Sequence, residues 1–258
     1  MAKPKRPPLV DVLLSQILKK AGHRPVAFVL AGHNGSGKST LWNERLAPTL
    51  RVPLINADRL ITSILPASEP KDNGFLVPWA AKLRDADARW QGLAQEGVNT
   101  FLGLVTERKM AFGFETVFSH WKVLPDGTVQ SKIDVITSLQ AKGYFVVMIF
   151  VGLATVGVSI LRVKTRVQQG GHSVELAKLL QRFPRTQRAV GHAASVADIT
   201  IMFDNSLDLT RAFELVRIQQ KEQVLYDCRD PAYAADKDLR IMADMWLDKV
   251  CGPFVAQA

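Results

Sequence analysis

Apolar residues along this chain follow two rhythms. Short unbroken runs alternate with longer stretches in which apolar positions return every three or four residues. The runs are Pro25 to Ala31, Val52 to Asn56, Met110 to Phe114, Tyr144 to Val151 and Asp198 to Phe203. Their length and continuity suit strands buried on both faces of a parallel sheet. The helical spacing predicts helices near 9–20, 38–47, 78–108, 131–142, 155–169, 173–183, 208–223 and 235–250. Gly22 and Gly143 sit where two helices should end, and Ser131 where one should start. Trp79, Leu83, Trp90, Leu93, Phe101 and Val105 recur at helical spacing and are expected to be core residues of one long helix. Residues 59–77, with Pro66, Pro70 and Asp72-Asn73-Gly74, read as loop, and a Pro-Asp-Gly turn lies between Val123 and Val129.

Strands alternating with helices predict an α/β fold, doubly wound around a mainly parallel five-stranded sheet, with extra helices at both termini. In such sheets ligands bind beyond the carboxyl ends of the strands. Here those ends carry Gly32 to Ser39, Asp58 and Glu115, so the polar residues gather where a ligand is expected.

The segment Gly32-His33-Asn34-Gly35-Ser36-Gly37-Lys38-Ser39 fits the phosphate-loop pattern G-x-x-x-x-G-K-[ST]. Its glycines let backbone N–H groups turn inward toward phosphate oxygens, and the following helix adds the positive end of its dipole. Lys38 is expected to reach the β and γ phosphates and Ser39 to place its hydroxyl on Mg²⁺. ATP and Mg²⁺ are the expected cofactors, with Gly32, His33, Asn34, Gly35, Ser36, Gly37, Lys38, Ser39 and Thr40 forming the nucleotide site. His33 and Asn34 count there chiefly as loop residues. The fold expected is thus a three-layer αβα P-loop architecture.

Other motifs narrow the class. An LSGGQ-like signature, an hhhhDE strand end and the guanine-reading N-K-x-D are all missing. Asn56-Ala57-Asp58 follows the second strand about twenty residues beyond Lys38. A carboxylate at that strand end suits proton abstraction from a hydroxyl facing the γ phosphate. A helix cap or an arginine partner is the plainer role for Asp58.

Taken together, several segments resemble the zeta toxin family of P-loop kinases. They are Ala31 to Thr40, Asn56-Ala57-Asp58, Phe114-Glu115-Thr116-Val117-Phe118-Ser119, Arg162 to His172 and Asp204-Asn205-Ser206. Their order and spacing cover about residues 25–206. The resemblance implies transfer of the γ-phosphoryl group of ATP to a hydroxyl of a UDP-N-acetyl sugar, UDP-N-acetylglucosamine in the best-known branch. It also implies, for some members, a small helical antitoxin that blocks the nucleotide site. Asp58 falls on the family's catalytic base and Lys38 on its P-loop lysine. Glu115 and Thr116 fall on substrate-contacting positions. The family's other substrate-contacting acid, on the long helix before the third strand, falls on Asn99, a departure that bears on the identity of the sugar. On this view residues 1–24 are a basic tail and helix, 25–225 the kinase domain with a helical lid at about 155–190, and 226–258 a helical extension.

Charge adds the lid arginines. Phosphoryl transfer spreads negative charge that fixed cations stabilise. Arg162 and Arg166 are four residues apart, hence on one helical face, and Arg182 follows the Gly170-Gly171-His172 turn. Arg162 and Arg166 are expected to be catalytic and Arg182 to bind substrate, and Gly170-Gly171 to let the lid move. The family's second lid arginine matches either Arg166 or Arg182. Glu115 is expected to contact substrate hydroxyls or hold magnesium through water, and Asn205 to contact adenine. His172 reads as a turn residue.

The whole chain has 258 residues, 33 Lys and Arg against 24 Asp and Glu, and a net charge of +9. A basic surface attracts polyanions, so a nucleic-acid-associated ATPase stands as an alternative, although no aromatic-basic recognition motif accompanies the charge. Kinases for a nucleoside, an antibiotic or another sugar nucleotide are further alternatives, as is a nucleotide-gated interaction protein with little turnover. No apolar run reaches the roughly 18 residues of a membrane helix. The basic start is followed by no signal-peptide core, so a cytoplasmic protein is expected. Cys228 and Cys251 suggest neither a disulfide scaffold nor a metal site.

Overall fold

In chain order the strands are β1 (Val26–Gly32), β2 (Leu54–Ile55), β3 (Phe112–Thr116), a separate small hairpin of β4 (Trp121–Val123) and β5 (Val129–Ser131), then β6 (Phe145–Gly152), β7 (Ile199–Asp204), β8 (Glu214–Gln220) and β9 (Gln223–Asp227). The computed structural model describes residues 10–67, 75–233 and 235–251. The basic tail and the expected turn signals at Pro70 and Asp72 to Gly74 lie outside the described residues.

The main sheet runs β2-β3-β1-β6-β7-β8-β9. The five strands expected from the apolar runs are all present and all parallel. Every residue of β1 and of β6 is buried. Burying one Val, Leu, Ile or Phe side chain is worth about 1.5–3 kcal/mol, so this central pair anchors the fold.

Two further strands make the sheet seven-stranded. They replace the helix expected at 208–223, where β8 pairs antiparallel with β7, and β9 with β8. Along β8, Leu215, Val216, Ile218 and Gln219 are buried. The same apolar residues satisfy a helical stripe on paper. The open edge of β7 and a tight turn at Lys221, whose φ is 51°, select the strand instead. Only pairing partners distant in sequence arbitrate between those readings.

The helices are α1 (Val10–Ala21), α2 (Lys38–Leu41), which runs through a π-helical turn (Trp42–Leu46) into α3 (Ala47–Leu50), α4 (Ala57–Ser63), α5 (Pro78–Ala86), α6 (Ala88–Glu107), α7 (Ile133–Ala141), α8 (Val156–Gln168), α9 (Leu176–Val196), α10 (Lys237–Asp244) and α11 (Asp248–Cys251). The long helix expected from 78 to 108 is broken at Asp87. That residue is extended, and its carboxylate accepts from the N–H groups of Arg89 and Trp90. It caps α6 rather than continuing α5. Trp79 and Leu93, expected in the core, are 57% and 50% exposed. Helix α9 is much longer than expected and runs through Pro184, because its buried side, including Leu179, Phe183, Val190 and Ala194, packs along its whole length.

Two cores result. The large one surrounds the sheet and includes Leu13, Leu14 and Ile17 of α1 as well as Trp246, Leu247 and Val250 near the C-terminus. The terminal helices therefore pack into the body of the sheet, and the expected boundary at 225/226 falls inside β9. The small core joins α4, α5 and α6 through Ile61, Leu65, Ala80 and Ala94. Among the described residues no helix is long and apolar enough to cross a membrane.

Candidate functional site

Strand β1 delivers the chain into the glycine loop, and α2 carries it away. Lys38 is 7% exposed and folds back over the loop. Its Nζ donates to the carbonyl oxygens of Gly32 and His33, each at 2.9 Å. Burial pulls the Lys38 ammonium below its ordinary value. Glu115 and Asp58 oppose that pull, and Arg166 adds to it. These four side chains thus share one electrostatic neighbourhood.

The loop is held from outside. Asn205 Nδ2 donates to the Ser36 carbonyl at 2.9 Å, and Ser159 Oγ to the Asn34 carbonyl at 2.6 Å. Two loop carbonyls are thus held by side chains, and the Ser36 N–H donates to the His33 carbonyl at 3.2 Å; the remaining loop amides are left for a ligand. Gly37 has a φ of 88°, and a Cβ there would lie 2.7 Å from Asn205 Nδ2. Only glycine meets both demands. The helix that starts at Lys38 has no side-chain cap, so its first N–H groups are also unassigned.

Two residues expected at the nucleotide serve the loop from behind. His33 is buried and stacks on Phe183 of α9, with ring centroids 3.8 Å apart and planes 13° apart. Neither ring nitrogen has a hydrogen-bond partner. Burial, helped by Lys38, lowers its pKa to about 3, so the ring is neutral. Asn205 is 6% exposed and its amide is engaged by the loop. Through this bond it braces the loop. Thr40 is exposed on α2.

A cleft of about 330 Å³ opens beside the loop. Lys38, Gly35 and Asn34 form one wall. Asp58, in the first turn of α4, lies on another, because Asn56 caps that helix by accepting from Arg59 N at 3.1 Å. Glu115 and Thr116 line the cleft at the end of β3, and Arg166 and Arg182 reach it from α8 and α9. Ser39 Oγ donates to Glu115 Oε2 at 2.8 Å. Burial disfavours the Arg166 charge, and the Asp58 carboxylate is the strongest influence in its favour.

Both arginines between which the motif match was undecided line this cleft. Arg162 does not line it. It lies against the loop, its Cβ 3.1 Å from where a Cβ on Gly35 would sit. Burial lowers its pKa and Asp204 counters. Asp204 itself is buried at the end of β7. Burial raises its pKa, opposed by hydrogen bonds from Ser206 and from Trp246 Nε1, the latter 2.7 Å away.

The structure adds residues that motif reasoning passed over. Gln95, His120 and Lys132 also line the cleft, beside Asn99. Gln95 Nε2 donates to Asn99 Oδ1 at 3.1 Å. These come from α6 and from the segment around the small hairpin, and no spacing rule links them to the glycine loop. Among the described residues no group of three or more His, Cys, Asp or Glu stands ready for a metal ion.

Several solved structures resemble this fold. A chain from the PezAT chromosomal toxin–antitoxin system of Streptococcus pneumoniae superposes with a TM-score of 0.50 at 13% identity, over 95% of this chain and 88% of that one. The AvrRxo1-ORF1:AvrRxo1-ORF2 structure with sulphate ions gives 0.56 at 12% identity, over 95% and 69%. The AvrRxo1-ORF1:-ORF2 structure with ATP gives 0.53 at 12%, over the same shares. The chain shares their fold. At such identities the likeness speaks for the architecture alone. Neither a protein-family model nor a curated protein matches the chain.

Proposed function

We propose that this protein is an ATP-dependent kinase of zeta toxin type that transfers the γ-phosphoryl group to a hydroxyl of a small molecule. One observation carries the reading. Lys38 of the phosphate loop and the carboxylate of Asp58 line the same cleft as Glu115 and Arg166, and the charges of all four influence one another.

The steps follow from the positions. The loop amides and Lys38 hold the phosphate tail. An acceptor hydroxyl enters from the α4 and α6 side, and Asp58 takes its proton as the oxygen attacks phosphorus. Arg166 and Arg182 neutralise charge on the transferring group. Arg162 supports the loop from outside the cleft. Ser39 and Glu115 offer two hard oxygens 2.8 Å apart. That suits magnesium, which keeps several waters and takes few protein ligands. Bound there, the ion supplies charge neutralisation at the phosphates.

For the acceptor we propose a UDP-N-acetyl sugar, on the E-T-x-F-S and R-V-x-x-G-G-H resemblance. Asn99 presents an amide to it where the family presents a carboxylate, and Gln95 lines the cleft beside it. Amides donate as well as accept, so this wall also reads hydroxyl or carbonyl groups. The PezAT toxin–antitoxin system and the paired AvrRxo1 proteins support a protein partner of antitoxin type.

Incubation with ATP, magnesium and UDP-N-acetylglucosamine, or with a cell metabolite extract, should yield a product one phosphoryl group heavier by mass spectrometry. Asp58→Asn should lower transfer by about 10²–10⁴-fold while nucleotide affinity holds. Turnover by that variant at the parent rate removes Asp58 as the base. The absence of any phosphorylated product removes the kinase.

A further inference from the structure

Helix α8 ends at Gln168, and the chain turns through Gly170-Gly171-His172 before α9. The turn is built around one side chain. Arg166 Nη2 donates to the His172 carbonyl at 2.8 Å. A Cβ on Gly171 would lie 2.5 Å from Arg166 Cγ, and one on Gly170 2.7 Å from the ring of Phe75.

Helix α5 grips the turn from the opposite side. Arg84, 7% exposed, donates to the carbonyls of Gly170 at 3.2 Å and Gly171 at 3.3 Å. Its neighbour Asp85 holds both partners of this grip. Asp85 accepts from Arg84 Nε at 2.7 Å and Nη2 at 3.1 Å, and its Oδ1 lies 2.6 Å from His172 Nδ1. Ser173 Oγ adds a bond at 3.3 Å. Partial burial pushes the Asp85 carboxyl up, but the bonds from Arg84 and His172 prevail and hold it below its ordinary value.

Arg166 is thereby anchored on one side only. Its Nε is buried without a hydrogen-bond partner, and its side chain lines the cleft under the influence of Asp58 and Glu115. Helix α5 shares the small core with α4: Ala80 and Leu83 of α5 belong to the same cluster as Ala57 and Ile61 of α4. Asp58 belongs to α4. The acceptor-side carboxylate and the phosphate-side arginine are therefore registered to the same small block of helices.

We propose that Asp85, acting through His172 and Arg84, is a positioning residue that aims Arg166 into the cleft opposite Asp58. It touches no reacting atom. The Gly-Gly-His turn is fastened to α5 at this point, which contrasts with the free hinge expected from its glycines. The proposal rests on the kinase reading for the work it assigns to Arg166.

An arginine carries about 2 kcal/mol of rotamer entropy, and small misplacements at a reacting centre cost up to about 10²-fold in rate. Asp85→Ala should therefore lower kcat for ATP turnover, measured with UDP-N-acetylglucosamine or as basal hydrolysis of MgATP, by about 10–10²-fold. The KM for ATP should move little. In an Arg166→Ala background the same substitution should change nothing further. Equal losses in both backgrounds, or an unchanged kcat in the parent background, overturn the proposal. Asp85→Asn provides a milder variant if Asp85→Ala fails to fold. A second measurement does not need turnover. The ¹⁵N signal of Arg166 Nε–H, identified by its loss in Arg166→Ala, should be slow to exchange in the parent protein and fast in Asp85→Asn. An unchanged signal refutes the positioning role. If the parent protein consumes no ATP, the kinase reading fails while this signal still judges Asp85.

Discussion

The two walls of the cleft are built on different principles. The phosphate wall grows out of β1, inside the large core, and its backbone is tied down by Asn205, Ser159 and Lys38. The acceptor wall stands on α4, α5 and α6, whose own core has four buried residues among the described ones. On the proposed reading the first wall binds with amides whose positions the sheet dictates. The second binds with side chains on helices that have little interior of their own. The contrast matches the demands a kinase would place on them: a phosphate tail is the same in every turnover, while an acceptor must be selected, admitted and released. It also explains why α5 is bonded across to the α8–α9 turn, since a weakly cored wall gains registry from polar bonds that the sheet does not provide.

Lys38 is where the two walls should differ most. Lys38→Ala should lower phosphoryl transfer by about 10²–10³-fold, read as kcat, while the melting temperature stays close to that of the parent. A loss confined to KM denies the lysine a role in the transition state. Next come the two cores. Phe150→Ala in β6 should cost about 3–5 kcal/mol of global stability, and Ile61→Ala in α4 about 2–3 kcal/mol, near the lower end for such truncations. In hydrogen exchange the first should weaken protection throughout the sheet. The second should open α4 to α6 ahead of everything else. Uniform loss in both variants means the walls unfold as one.

Smaller effects test the phosphate wall alone. Gly37→Ala forces a side chain into the left-handed region, at about 1–2 kcal/mol, and toward Asn205, so nucleotide affinity by calorimetry should fall with stability. An unchanged affinity separates loop geometry from binding.

The smallest effect at neutral pH concerns His33. It is buried neutral, with its pKa held at about 3 against an ordinary 6.5. The unfolded chain therefore binds a proton that the folded one refuses between those values. The stabilisation from this residue is complete above the ordinary histidine value and falls, at about 1.4 kcal/mol per pH unit, as pH drops toward the folded value. His33→Phe, which keeps a ring on Phe183, should change neutral stability by less than about 1.5 kcal/mol and remove that acid-sensitive part. Equal acid sensitivity of the two proteins in urea titrations rejects this account.

The difference between the walls also governs what could be read in advance. Gly32 to Ser39 is legible because a tight phosphate turn needs particular residues at neighbouring positions. The parallel strands are legible because burial on both faces demands continuous apolar runs. Position 58 stands out because it closes such a run. Asp58 apart, the residues of that other wall leave no comparable trace. Gln95, Asn99, Lys132 and His120 meet only because α6 and the small hairpin fold over the same opening. Residues 208–223 carry a stripe that serves helix or strand equally, and the free edge of β7 decided between them. Asp87 reads as one more polar residue until its carboxylate is seen capping α6.

Local sequence, then, determined the phosphate loop and the five parallel strands, since their requirements are met by residues adjacent in the chain. Tertiary structure alone decided the antiparallel hairpin at the sheet edge, the inward turn of His33 and Asn205, and the bonding of Asp85 to the Gly-Gly-His turn. Each of those depends on groups far apart in sequence, whose burial and hydrogen bonds take effect only once the sheet has brought them within reach.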